Sequence, residues 1–142
     1  MLKFNRKVEY ALISLLYLSK KPPGELTNNR ELAELFSIPG EILGKVLQQL
    51  AQKDVIASVR GVKGGYFLEK SLKEITVHEV ISAVERPIAL VDCADKLCEC
   101  AQSSCCNIKN PMLILQEKVA QFFDNLTLKD LKEEQEEKIY SI

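Results

Sequence analysis

Between Asn28 and Leu68 the chain runs through two short helical periods separated by a four-residue turn, and then directly into a glycine-rich alternation. Asn28 with Glu31 three residues on has the form of a capping box, and Leu32, Ala33, Leu35 and Phe36 are spaced to form the buried side of a short helix. Ser37-Ile38-Pro39-Gly40 is a turn. A further helix is predicted from Glu41 to about Lys53, burying Ile42 or Leu43 with Val46, Leu47 and Leu50, before the strand-like Val55-Ile56-Ala57-Ser58-Val59. Helix, tight turn, helix is the order of a helix-turn-helix unit. The segment Ser58-Val59-Arg60-Gly61-Val62-Lys63-Gly64-Gly65-Tyr66-Phe67-Leu68 then reads as a hairpin, or wing. Gly64-Gly65 is expected to supply the positive φ of its tip. Arg60 and Lys63 are the long side chains that project from it, and both carry the charge that phosphate or groove contacts require.

The remaining pattern is helical, so the fold class is mainly α with a small β-hairpin wing. Val8, Ala11, Leu12, Leu15 and Leu16 form an amphipathic first helix, ended by Lys20-Lys21-Pro22-Pro23-Gly24. Thr76-Val77-His78-Glu79 is a second capping box, opening a helix through Val84 and Glu85 that Pro87 closes. His78, the single histidine, reads as a surface or cap residue of its first turn. Pro111 opens a long helix with Leu115, Val119, Phe122, Phe123 and Leu126 on one broad apolar face. Such a face must be covered, and in a chain of 142 residues a second copy plus the first helix is the expected cover, which makes the protein a homodimer. Thr127-Leu128-Lys129-Asp130 caps a charged final stretch expected to fray beyond Glu137. The expected divisions are a winged helix-turn-helix DNA-binding domain at 1–86, a cysteine-rich cluster-binding loop at 87–110, and a dimerisation helix with charged tail at 111–142.

Charge is unevenly spread. Residues 1–63 hold ten Lys and Arg against six acidic residues, a net of +4, which leaves −5 of the total −1 for the rest. A basic N-terminal half on an acidic C-terminal half suits a phosphate-binding module joined to a non-binding one. The apolar run Ala11 to Leu18 is interrupted by Ser14 and far short of the roughly 20 residues that span a bilayer, and no signal-peptide cleavage pattern follows it, so a cytoplasmic protein without a membrane partner is expected. No phosphate loop, dinucleotide fingerprint or nucleophile–base pairing points to an enzyme.

All five cysteines fall in one window of fourteen residues, as Cys93, Cys98, Cys100, Cys105 and Cys106. Free cysteines otherwise scatter singly through cores, so packing does not explain the cluster. A reducing cytosol disfavours disulfides. The window lacks paired C-x2-C knuckles, which leaves zinc possible but not indicated, while iron–sulfur clusters accept looser spacing and redox-active thiols remain a third reading.

The chain resembles the Rrf-two family of bacterial winged-helix transcription regulators, of the IscR and NsrR type. Glu9-Tyr10-Ala11-Leu12 is similar to the family's opening helix, and Ser58-Val59-Arg60-Gly61 with Gly64-Gly65-Tyr66 to its wing signature. Val77 to Glu85 resembles its next helix, and Asn125 to Leu131 its closing motif. The resemblance implies a DNA-binding regulator, expected to be a repressor, that senses redox, nitric oxide or iron–sulfur status through an iron–sulfur cluster (2Fe–2S or 4Fe–4S). By family position Cys93 is the first cysteine ligand and Cys106 the third, Cys98 and Cys100 compete for the second, and Cys105 is spare. Lys109 stands where some relatives place a histidine ligand, whereas Glu9 stands where others place a carboxylate. A thiol-based regulator without a cluster, or a metal-binding module that has lost DNA binding, is the alternative.

A dimer of this kind is expected to lay two copies of the helix from Glu41 across successive major grooves of double-stranded promoter DNA. Gly40, Glu41, Gly44 and Lys45 would face the bases, with Lys45 the phosphate or guanine donor, while Arg60 and Lys63 approach the backbone or minor groove. Gly44 offers no side chain to read with, which shifts specificity towards Glu41, the wing and DNA shape.

Overall fold

In the computed structural model, which describes residues 3–85 and 107–133, three of the helices begin where a polar side chain accepts from a free backbone N–H. Helix α1 (Arg6–Ser19) starts at Asn5, whose side chain accepts from the Lys7 N–H at 3.1 Å. Its core face is Val8, Ala11, Ser14, Leu15 and Leu18. Leu12 and Leu16, expected in that face, are half-buried on its flank; Ser14 and Leu18 take the centre because the 8, 11, 15, 18 spacing follows one helical stripe. Ser14 tolerates full burial by donating its hydroxyl to the Tyr10 carbonyl at 2.8 Å.

Helix α2 (Asn29–Phe36) is capped by Asn28, which accepts from the Glu31 N–H at 2.8 Å. Leu32 alone is fully buried here, and the expected burial of Leu35 and Phe36 is corrected: Leu35 is 57% exposed and Phe36 rests edge-on against Tyr17 with ring centroids 5.6 Å apart. Helix α2 packs on the core along the Leu32 side only, which leaves Leu35 and Phe36 on its outer faces. Helix α3 (Gly40–Gln52) buries Leu43, Val46, Leu47 and Leu50 and leaves Ile42 outside. Both helices end in six-residue turns closed by bonds from Ile38 N–H to Ala33 and from Val55 N–H to Leu50, each 3.0 Å, with Ser37 and Asp54 at positive φ where glycine is usual.

Strands β1 (Ala57–Val59) and β2 (Gly65–Phe67) pair antiparallel with Ser58 opposite Tyr66. Thr27 adds a one-residue third strand, exchanging backbone bonds of 2.9 and 2.8 Å with Tyr66. This corrects the expected role of Gly64-Gly65. The positive φ of the tip falls on Gly61, at 118°, and the later pair is glycine because of close approach: a Cβ on Gly65 would lie 2.8 Å from the Thr27 carbonyl oxygen, and one on Gly64 would meet that of Val59.

After a 3₁₀ turn (Leu72–Glu74), α4 (Val77–Val84) begins at Thr76, which accepts from Glu79 N–H at 3.1 Å. Helix α5 (Lys109–Asn125) begins two residues ahead of Pro111, which its first turn accommodates because no N–H is needed there. Past α5 the chain returns to the core. Val77 N–H donates to Leu126 and Leu128 N–H to Ile75, at 2.9 and 3.0 Å, and Leu128 is completely buried. Thr127 and Asp130 form a reciprocal cap, 3.1 and 3.3 Å, for helical backbone over 128–133.

The core is a single cluster in which α1, α3 and α4 pack together, filled by Leu15, Leu43, Leu47, Leu50, Ile75 and Val80. Along α5, Leu113, Ile114, Leu115 and Phe122 remain exposed, while Phe123 packs on Phe4 at 5.6 Å. Pro87, all five cysteines and the tail beyond 133 lie outside the described residues. No described helix is long and apolar enough to cross a membrane.

Candidate nucleic-acid interface

Helix α3 presents one continuous exposed stripe. Glu41, Lys45, Gln48 and Gln52 recur at helical spacing along it, and Gly40 is exposed at its start. The start is fixed by Asn29, whose Nδ2 donates to the Gly40 carbonyl at 3.0 Å. Gly44 is half-buried beneath the same amide, and a Cβ there would meet Asn29 Nδ2 only at van der Waals distance, 3.4 Å. Of the residues expected to face DNA on this helix, Gly40, Glu41 and Lys45 are therefore outward, while Gly44 contributes bare backbone between them.

The wing tip is a turn over Gly61-Val62-Lys63-Gly64, closed by a 2.9 Å bond from Gly64 N–H to the Gly61 carbonyl. Arg60 and Lys63 are exposed on it. Val62, which the sequence reading passed over, is wholly exposed between them. Among the described residues Lys45, Arg60 and Lys63 take part in no ion pair, so their charge faces solvent without a protein counter-ion.

Helix and wing bound a common groove of about 510 Å³. Gln48, Ala51 and Gln52 line it from α3, and Ser58, Arg60 and the tip glycines line it from the hairpin. Gln48 and Gln52 could have been found by extending the Glu41 and Lys45 stripe; Ser58 carried no such signal.

The helix-turn-helix is locked to α1 by a polar cluster. Tyr17 Oη donates to Glu31 Oε2 at 2.9 Å, Lys21 Nζ reaches the same oxygen at 3.1 Å, and Lys21 also sits 5.2 Å from the Tyr17 ring centroid. The Tyr17 hydroxyl bond first, then the Lys21 ammonium, holds the Glu31 carboxyl below the usual carboxylate range, and the same contact with Glu31 raises Lys21.

The candidate metal ligands are not brought together within the described residues. Glu9 lies exposed on α1, paired with Arg6 at 3.5 Å, and Cys93, Cys98, Cys100, Cys105 and Cys106 fall outside them. His78 faces Asp124 across α4 and α5, Nδ1 to Oδ1 3.8 Å, which is the surface position expected for it.

A helix-turn-helix whose second helix is exposed along one stripe and flanked by a cationic hairpin defines a winged helix-turn-helix protein, the architecture of transcription regulators. A family model for Rrf2, an iron-dependent transcriptional regulator, matches residues 4–134, and the chain belongs to that family. Among solved structures it is similar to CymR (YrzC), the global cysteine regulator of B. subtilis, at 26% identity and TM-score 0.70 over 92% of this chain and 96% of that one. It is also similar to the oxidised form of Staphylococcus aureus CymR, at 27% identity and TM-score 0.69 over 92% and 95%. The fold is shared with T. potens IscR, at 20% identity and TM-score 0.71 over 96% and 90%.

Proposed function

We propose that this chain is a cytoplasmic, homodimeric repressor that binds double-stranded promoter DNA through α3 and the wing and senses redox, nitric oxide or iron–sulfur status through its cysteine-rich segment. The observation that carries the DNA-binding part is the groove shared by α3 and the wing, which sets the exposed α3 stripe beside the Arg60 and Lys63 cations. Residues 1–86 act as the DNA-binding domain, 87–110 as the sensor loop, and 111–142 as the dimerisation element, whose uncovered Ile114, Leu115 and Phe122 support a second copy as cover.

The donor chemistry suits an iron–sulfur cluster. Five thiols within fourteen residues form a soft ligand set, and Glu9 adds a carboxylate held only by an exposed pair with Arg6 that costs little to break. Cys93, Cys106 and either Cys98 or Cys100 would hold the cluster with Glu9 as the fourth ligand. When bound, such a cluster supplies a centre that oxidants or nitric oxide attack. The protein's own part is mechanical: α1 carries Glu9 near its start and, near its end, Tyr17, which bonds Glu31 of α2, so the ligand position and the helix-turn-helix share one rigid element.

Anaerobically purified protein is expected to show broad absorbance between about 320 and 460 nm with matching iron and sulfide, lost in Cys106→Ala and weakened in Glu9→Ala. A colourless protein after anaerobic reconstitution would favour the second reading, thiol chemistry on Cys105-Cys106 and Cys98 or Cys100, for which the oxidised CymR relative is the supporting observation. Failure to shift its own promoter in either state would leave a metal-binding interaction module.

A further inference from the structure

The groove between α3 and the wing differs chemically from the rest of the exposed stripe. Its walls carry two carboxamides one turn apart, Gln48 and Gln52, the Ser58 hydroxyl opposite them, and a single charge, Arg60. Ala51, Val59, Tyr66 and the wing glycines complete its lining, and the glycines leave backbone bare where another polymer's main chain can approach. Gln48, Gln52 and Ser58 are all exposed and form no hydrogen bond to the protein among the described residues, leaving their donors available. Glu41, the acid on the same stripe, is seven residues from Gln48, about 10 Å along the helix axis. Among the described residues no acidic side chain lines the groove, and Arg60 gives it a net positive charge, so it can accept an anion.

We infer that this groove seats one stretch of DNA sugar-phosphate backbone, with Gln48, Gln52 and Ser58 as neutral donors to its non-bridging oxygens and Arg60 as its one charged contact. The inference rests on the DNA-binding reading above and adds residues to it. A groove lined partly by bare backbone, and set along the later turns of α3 rather than at its leading end, fits a phosphodiester better than a base-pair edge. Neutral donors release no condensed counter-ions, so they strengthen binding without steepening its salt dependence, whereas each cation that neutralises a phosphate adds about 0.9 to the slope. They also grip every sequence alike.

The test uses the full-length protein with two duplexes of equal length, its own promoter and a scrambled sequence, each titrated at several salt concentrations. Gln52→Ala and Ser58→Ala are expected to weaken both duplexes by a similar factor, about fivefold each, with the salt slope unchanged. Arg60→Ala should weaken both and lower the slope by about 1, and Gln52→Lys should tighten both and raise it by about 1. Because these side chains are exposed, circular dichroism should report unchanged folding. Loss confined to the promoter would overturn the inference in favour of base reading by the carboxamides, and unchanged binding in Gln48→Ala, Gln52→Ala and Ser58→Ala would overturn it while leaving DNA binding intact. A parent protein that binds neither duplex would overturn the inference together with the reading beneath it.

Discussion

The Tyr17 hydroxyl, on the last turn of α1, donates to Glu31 Oε2 in the first turn of α2 at 2.9 Å, and this one oxygen also receives Lys21. Glu31 thereby joins three roles that its sequence position announced only in part: it follows the Asn28 cap, favours the helix N-terminus by its charge, and anchors α2 to the preceding helix. Tyr17→Phe is expected to destabilise the fold by about 1 kcal/mol or less at neutral pH, because the 41% exposure of the Glu31 side chain screens the bond. Glu31 is held below its ordinary value in the folded state, so its contribution is complete above the unfolded carboxylate range and fades as pH falls through the folded value. Urea midpoints of parent and Glu31→Gln should converge as pH falls below about 4; a gap that stays constant with pH would show that the charge is not involved.

Ser37 and Asp54 hold positive φ, 54° and 59°, at the ends of α2 and α3. Ser37→Gly should stabilise the protein by about 0.5–1 kcal/mol by relieving this backbone strain, and Asp54→Gly by less, since Asp tolerates the left-handed region better. Ser37→Val should cost more than 1 kcal/mol, about the strain of a branched side chain there. Chemical denaturation of the three variants tests the order.

Two glycines of the interface should respond in opposite directions. Gly65→Ala drives a methyl to within 2.8 Å of the Thr27 carbonyl oxygen and should cost about 1–3 kcal/mol, as overpacking does. Gly44→Ala meets only Asn29 Nδ2 at 3.4 Å and lies within a helix, so it should stabilise the fold by about 0.5–1 kcal/mol while weakening DNA binding by filling the gap between Glu41 and Lys45. Unchanged DNA binding by Gly44→Ala would remove Gly44 from the proposed contact surface.

Phe122 is 63% exposed on α5 in the single chain, beside Phe123, which is partly buried. Phe122→Glu is expected to shift sedimentation from dimer to monomer at micromolar concentration, with the helical spectrum of the 3–85 core retained. An unchanged dimer would place the interface elsewhere.

The order of helices and wing was legible in the sequence because it is written in local terms: apolar spacing along α1, α3 and α4, and caps at Asn28, Thr76 and Thr127 that satisfy the first free N–H groups of each helix. Periodicity marks a helix without saying how much of its apolar face finds a partner. Leu35, Phe36 and Ile42 stay outside for that reason: burial depends on how closely α1, α2 and α3 pack, a distance no local pattern contains. The same limit hid the reason for Gly65. Its glycine is demanded by Thr27, thirty-eight residues earlier, and only the approach of the two backbones reveals it. The sequence by itself determined which residues could be helix, cap, hairpin and thiol cluster, since these follow from neighbours along the chain. Tertiary structure alone decided that Glu31 binds Tyr17, that Gln48 and Gln52 share a groove with Ser58 and Arg60, and that Leu128 closes the core, because each depends on elements far apart in sequence meeting within a few ångströms.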